Sequence, residues 1–223
     1  MIVFPNCKIN LGLHILQKRS DGFHDLETVF YPILWQDGLE VVQDPLIGQF
    51  FEFTTSGLAA GSQPQENTCV QAYKLLKKDF PALPSLRMHL HKVIPMGAGL
   101  GGGSSDGAFT LTLLNKKFNL GITEDQLINY ALQLGSDCPF FIRNRPSYAT
   151  GRGELLQDIP VDLSEYKIVV INPGIHVPTG KAFERIVPNK ERVSVRDIIG
   201  APVKEWKDTL KNDFEHSVFA DYP

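Results

Sequence analysis

Cysteine is scarce: the chain carries 3 in 223 residues. Cys7, Cys69 and Cys138 are widely separated and form no Cys-x-x-Cys pair. Such a set excludes a disulfide framework, offers no zinc-site spacing and fits reduced thiols in a cytoplasm. No apolar run approaches the roughly 18 residues that a membrane-spanning helix needs. The first residues, MIVFPNCKINL, lack a basic stretch leading into an apolar one, so no secretory signal is expected. A basic excess is also missing. Lys+Arg number 22 against 25 Asp+Glu, for a net charge of -3, which argues against nucleic-acid binding through a broad basic surface. No internal repeat is present. What remains is the composition of an ordinary globular protein, 43% hydrophobic and 21% charged. The length allows one large domain or two modest ones.

From Cys7 to Ile15 the residues alternate, with Cys7, Ile9, Leu11, Leu13 and Ile15 on one side and Lys8, Asn10, Gly12 and His14 on the other. Period two predicts a strand with one buried face. Arg19-Ser20-Asp21-Gly22 reads as a turn. Residues 26–34, 39–43 and 49–55 read as further strands, and 56–65 as a loop. Asn67 is placed to cap a helix bearing the stripe Val70, Tyr73, Leu76 and Phe80, stopped by Pro81 and Pro84. Residues 86–94 alternate as a strand through Leu86, Met88, Leu90 and Ile94, with Lys92 read as solvated. A second helix is expected to start on the N-caps Ser104-Ser105-Asp106 and to carry Ala108, Leu111, Leu114 and Phe118. Thr123 and Gln126 form a capping box for a third helix that ends at Gly135. Ser136-Asp137-Cys138-Pro139 and the short apolar run Phe140-Phe141-Ile142 follow, with Asp137 on its own reading as a polar residue in a helix-to-strand connection. Residues 144–153 read as a linker, and 166–171 as a buried strand opening a second unit.

The strongest feature is Pro95-Met96-Gly97-Ala98-Gly99-Leu100-Gly101-Gly102-Gly103-Ser104-Ser105-Asp106. Five of the nine positions from 95 to 103 are glycine. Glycine allows positive φ and close backbone approach at an entropic cost. A loop that bears this cost five times, between a strand and a helix, presents amides and a helix N-terminus to an anion, of which a phosphate chain is the natural occupant. A Walker A loop is excluded because its lysine is missing. The Gly-x-Gly-x-x-Gly spacing alone is weak evidence for a dinucleotide fold. The acidic pair at the expected distance, Glu124 and Asp125, opens a helix and does not end a strand.

Residues 95–106 closely resemble the second motif of the GHMP kinases. Pro5-Asn6-Cys7-Lys8-Ile9-Asn10-Leu11-Gly12-Leu13 and Arg19-x-Asp21-Gly22-Phe23-His24-x-Leu26-x-Thr28 resemble, within that family, the kinases of the non-mevalonate isoprenoid pathway. Gly135-Ser136-Asp137-Cys138-Pro139-Phe140-Phe141, Asn172-Pro173-Gly174, Pro178-Thr179 and Phe183 continue the likeness to about residue 219. There are departures. Asn6-Cys7 stands where a Pro-Ala-like pair is usual. Phe23 stands where Tyr is common, and Gly107 where Ala is usual, at some cost in helix propensity.

The resemblance implies an α+β fold with the GHMP two-domain architecture. Its first domain is ribosomal protein S5 domain 2-like and its second ferredoxin-like. The expected division places an ATP-binding and catalytic domain at 1–147 and a substrate-side domain at 148–223. The family also carries a third glycine-rich motif late in its chains. None follows Asn212-Asp213-Phe214-Glu215 here, so a chain truncated within its second domain is expected. The implied reaction moves the ATP γ-phosphoryl group, with Mg2+, to the 2-hydroxyl of a cytidine diphosphate-linked methylerythritol. By resemblance Lys8 is catalytic and Asp137 is the general base. Residues 95–105 bind ATP phosphates and Asn67 lies near the adenine. Phe23 and Phe183 flank the cytosine, His24 recognises it, Asn10 holds the acceptor end and Thr179 touches substrate phosphate. On the residues alone, Lys8 reads as a surface lysine, Ser104 and Ser105 as helix caps, Phe183 as core and His24 as a turn histidine. Two rival functions stay open. One is another small-molecule GHMP kinase, and the other is a nucleotide-binding fragment without turnover.

Overall fold

The computed structural model describes residues 1–44, 51–59, 64–175 and 177–222; the side chains of 179, 181 and 184 lie outside it. The elements in chain order begin with strands β1 (Ile2–Val3), β2 (Asn6–Lys18), β3 (His24–Gln36), β4 (Gly38–Gln43) and β5 (Phe51–Gly57). Helix α1 (Thr68–Asp79), strand β6 (Leu86–Lys92) and helices α2 (Gly102–Phe118), α3 (Glu124–Leu134) and α4 (Cys138–Arg143) follow. Strands β7 (Ser147–Thr150) and β8 (Leu155–Asp158) and helices α5 (Thr179–Glu184), α6 (Val195–Ile199), α7 (Trp206–Thr209) and α8 (Phe214–Asp221) complete the set. The fold is α+β. Its compact units are not separated by one cut near 147. The first comprises 1–8 and 32–144, and the second 9–31 and 145–223. Strands β2 and β3 are long enough to enter both.

In the first unit the sheet order is β1-β4-β6-β5, with β5 parallel to β6 and β4 antiparallel to it. The alternation of 86–94 is realised: Leu86, Met88, Leu90 and Ile94 are buried. Leu76 of α1 and Leu111 and Leu114 of α2 are buried with them. Burying side chains of this size gives about 1.5–3 kcal/mol each before entropy is subtracted. Asn67 caps α1 as expected, accepting from the Cys69 N–H at 2.9 Å. Thr123 and Gln126 form the capping box of α3. Gly107 has a packing reason: a Cβ there would lie 3.1 Å from Thr68 Cβ and 3.2 Å from Leu134 Cδ1, so its helix meets α1 and α3 closely.

Helix α2 starts earlier than its sequence implies. Gly101, at φ 70°, is the N-cap, and its carbonyl accepts from the Ser105 N–H at 2.9 Å. Ser104, Ser105 and Asp106 therefore lie inside the helix and do not cap it. A left-handed glycine turns the chain into the helix before the polar residues are reached. The apolar run Phe140-Phe141-Ile142 belongs to helix α4, where Pro139 is well placed in the first turn. Strand β2 is covered on both faces: Lys8 and His14 are buried along with Cys7 and Ile15.

In the second unit the sheet order is β2-β3-β7-β8. The stretch read as a linker supplies β7, paired antiparallel to β3 with Thr28 opposite Ala149. Val29, Val195 and Ile199 form a small core, packed by Leu11, Tyr148, Trp206 and Leu210. Residues 166–171 are not a strand. Val169 and Ile171 are 80% and 85% exposed, and no described strand pairs with the run. An apolar stretch without a hydrogen-bonding neighbour has no ladder to join. Of the other expected segments, 45–50 and 60–63 lie outside the described residues, while Ser56 and Gly57 belong to β5.

Candidate active site

Lys8 sits where β2 meets the glycine loop. Its backbone N–H donates to the Leu100 carbonyl at 2.9 Å. Its side chain is 6% exposed, and its Nζ lies 3.5 Å from Asp137 Oδ2. A surface lysine would be solvated, whereas this one is aimed at a carboxylate. Asp137 precedes α4 but makes no capping bond to it. Its side chain keeps 33% exposure. The pair is thus a covered ammonium beside a carboxylate that solvent or a solute reaches.

The loop is shaped around this pair. Gly97, Gly99 and Gly101 have φ of 70°, 73° and 70°. Left-handed residues at alternate positions are how consecutive amides are turned into an anion-binding concavity. A Cβ on Gly101 would fall 2.9 Å from Phe141 Cζ and 3.2 Å from Lys8 Cγ. A Cβ on Gly99 would meet nothing within 4 Å. One glycine therefore permits packing and another leaves a surface open. Helix α2 adds its N-terminal dipole. Thr68 donates from Oγ1 to the Gly103 carbonyl at 2.6 Å, tying the start of α1 to the loop. Ser104 hydrogen-bonds Cys138. Burial, followed by the neighbouring Asp137, pushes that thiol up to about 12 although the Ser104 bond opposes it. Ser105 is fully buried, and its hydroxyl has no hydrogen-bond partner among the described residues.

Lys92 is the main correction to the sequence reading. It is 1% exposed, not solvated. Its Nζ donates to Asp37 Oδ2 at 2.5 Å and to Asp106 Oδ2 at 2.9 Å. Burial alone would lower its pKa, but the two carboxylates outweigh burial and raise it. Burial pushes the Asp106 carboxyl up to about 7, with Lys92 opposing and Asp37 adding to the rise. The signal was in the alternation. Position 92 shares parity with Leu86, Met88 and Leu90, so period two assigns it to the buried face.

The remaining candidate residues, Asn10, Phe23, His24, Thr179 and Phe183, belong to the second unit. The Asn10 amide donates to Thr28 Oγ1 at 2.9 Å, and Thr28 donates to the Gly12 carbonyl at 2.5 Å. The His24 and Phe183 rings stack at 4.8 Å with an 18° interplanar angle. Phe214 meets Phe183 edge-on at 4.8 Å. Phe23 is 53% exposed, with the Arg152 guanidinium 4.8 Å from its ring centroid. Thr179 opens α5, and its side chain lies outside the described residues. Arg152 escaped the sequence reading, as did the buried cluster in which Glu27 accepts from Tyr148 OH at 2.5 Å and pairs with His14 at 3.0 Å. Arg152 sits in a glycine-rich stretch that carries no periodicity. His14 lies on the strand face opposite Cys7 and Ile15, and that face is covered as well.

The family model for the GHMP kinase N-terminal domain matches residues 67–145. The 4-diphosphocytidyl-2-C-methyl-D-erythritol kinase of Bacteroides thetaiotaomicron is 50% identical over all 223 residues of this chain and 81% of its own length. The chain belongs to the 4-diphosphocytidyl-2-C-methyl-D-erythritol kinase family. A family member from Cytophaga hutchinsonii is 46% identical, with the same 81% covered. A crystal structure of 4-(cytidine 5'-diphospho)-2C-methyl-D-erythritol kinase superposes with a TM-score of 0.79 at 30% identity, over 100% of this chain and 79% of that one. A mevalonate kinase superposes with a TM-score of 0.54 at 12% identity, which is likeness of fold alone. For this kinase family the first unit brings together Lys8, Asp137 and the glycine loop. The second unit brings together His24 and Phe183. No helix among the described residues is long and apolar enough to cross a membrane.

Proposed function

We infer that the chain is a kinase that phosphorylates the 2-hydroxyl of 4-diphosphocytidyl-2-C-methyl-D-erythritol, an isoprenoid precursor, with ATP as donor. The observation that carries this reading is the covered Lys8 ammonium 3.5 Å from the Asp137 carboxylate, beside a loop with left-handed glycines at alternate positions. In the reaction the acceptor oxygen attacks the γ-phosphorus in line, and the bond to the β-phosphate oxygen breaks to release ADP. Asp137 takes the hydroxyl proton, a role that typically gives about 10²–10⁴-fold. Lys8 supplies fixed positive charge where negative charge develops on the attacking and equatorial oxygens. The backbone of 95–103 with Ser104 and Ser105 holds the triphosphate, and Asn67 lies toward the adenine. Mg2+ arrives with ATP as part of the substrate. On the acceptor side, Phe23 and Phe183 offer flat faces to the cytosine, and stacking of this kind contributes about 1–3 kcal/mol per base. His24 recognises the ring edge, Asn10 orients the acceptor end and Thr179 contacts phosphate. The compartment is the cytoplasm, consistent with three cysteines that are all free and buried.

A substrate panel tests this. ATP consumption is measured with the cytidyl alcohol, homoserine and mevalonate in parallel. The cytidyl alcohol alone is expected to stimulate it. Stimulation by homoserine or mevalonate but not by the cytidyl alcohol makes the chain a different GHMP kinase.

A further inference from the structure

Three buried ionisable side chains, Asp37, Lys92 and Asp106, gather at the base of the glycine loop. Asp37, between β3 and β4, accepts with Oδ1 from the Val93 N–H at 2.5 Å and the Ile94 N–H at 2.8 Å. Its Oδ2 accepts from Lys92 Nζ. Lys92 ends β6, and its Nζ also donates to Asp106, which lies two residues beyond Ser104 in α2. The residues leading into the loop are therefore gripped by Asp37, and the helix that ends the loop is gripped by Lys92. All three side chains are 0–2% exposed. Gly102, the first residue of α2, sits directly over this cluster. A Cβ there would lie 3.1 Å from Lys92 Nζ and 2.9 Å from Ile94 Cγ2.

Such a cluster is a poor device for stability alone. Desolvating three ionisable groups is expensive, and well-packed apolar residues in their place are often neutral or better. Its geometric consequence is specific, because one ammonium fixes the separation between the strand end and the helix start that the loop must span. We propose that Lys92 is a positioning residue for nucleotide binding. By clamping Asp37 and Asp106 it sets the span of the loop, and so its affinity for nucleotide phosphates. The proposal rests on the loop being the ATP site.

The test compares wild type, Lys92→Met and the charge-balanced Lys92→Met/Asp37→Asn, in which the introduced carboxamide keeps an oxygen for the Val93 and Ile94 amides. Each protein's melting temperature is recorded, and its affinity for ATP without acceptor is measured by calorimetry. KM for each substrate is then determined on the folded fraction. A misplacement of about 1 Å in a positioning element costs up to about 10²-fold. The expected result is ATP affinity weakened at least about 10-fold in whichever variant folds. KM for the cytidyl alcohol should change by less than about 2-fold, since the residues proposed to hold its cytosine, Phe23, His24 and Phe183, belong to the second compact unit and the clamp to the first. A purely structural role would lower the melting temperature and the folded fraction but leave ATP affinity per folded molecule unchanged, and that outcome overturns the proposal. Equal loss for both substrates also overturns it. If neither variant folds, the clamp serves the fold and the proposal is overturned. Failure of wild type to bind ATP would instead sink the functional reading itself.

Discussion

Gly101 should be the least replaceable residue of the glycine loop, for a reason that can be separated into parts. An alanine there meets two costs. The left-handed backbone, φ 70°, costs an L-residue about 1–2 kcal/mol. The added Cβ would lie 2.9 Å from Phe141 Cζ and 3.0 Å from its Cε2. Phe141 is 2% exposed and has little room to give. Overpacking of this type costs about 1–3 kcal/mol. The sum is about 2–5 kcal/mol, a large fraction of the about 5–15 kcal/mol that typically holds a domain together. Gly99→Ala is the internal control. It has the same backbone sign, φ 73°, but its Cβ meets nothing within 4 Å. It should cost only the backbone part, about 1–2 kcal/mol. Urea titrations of the two variants against wild type read the difference directly. Gly101→Ala should unfold at the lower midpoint, with turnover reduced as well, because the same Cβ presses on the Lys8 stem at 3.2 Å. If the two variants share a midpoint, the packing of Gly101 on Phe141 and Lys8 is wrong.

Other outcomes follow from single groups. Asp137→Asn should cut turnover by at least about 10²-fold while calorimetry shows ATP binding nearly intact; near-normal turnover removes Asp137 as the base. Phe23→Ala should raise KM for the cytidyl alcohol far more than KM for ATP, and equal effects count against a cytosine platform. Asp106 titrates higher folded than unfolded, about 7 against an ordinary 3.8. Between these values the folded chain holds a proton that the unfolded chain has released. Stability from this group is therefore full below 3.8 and falls as pH rises toward 7. Asp106→Asn should flatten that fall in a pH series of urea midpoints, and an unchanged slope assigns it to other groups.

Local signals carried well where the deciding interaction was itself local. The capping box at Thr123 and Gln126 and the Asn67 cap depend on residues a few positions apart, and both formed. Alternation placed Leu86, Met88 and Leu90 in the core. Two of the failures depended on distant partners and one on the backbone of a nearby glycine. Lys92 is polar by type and buried by parity, and the carboxylates that reconcile the two lie 55 and 14 residues away in sequence. The run 166–171 has the composition of a strand, but no described strand lies beside it. Ser104-Ser105-Asp106 has the composition of a cap, but a positive-φ glycine turned the helix earlier. The Lys8–Asp137 pairing joins residues 129 positions apart and was reached through family resemblance, because periodicity does not report such contacts.

The most direct test is to locate the transferred phosphoryl group. ATP, Mg2+ and the cytidyl alcohol are incubated with the chain and the product is read by phosphorus NMR. The expected result is one new phosphomonoester on the 2-hydroxyl of the methylerythritol unit, with the cytidine diphosphate bridge intact. A phosphoryl group on another oxygen, or ATP turnover without a phosphorylated alcohol, would contradict the assignment.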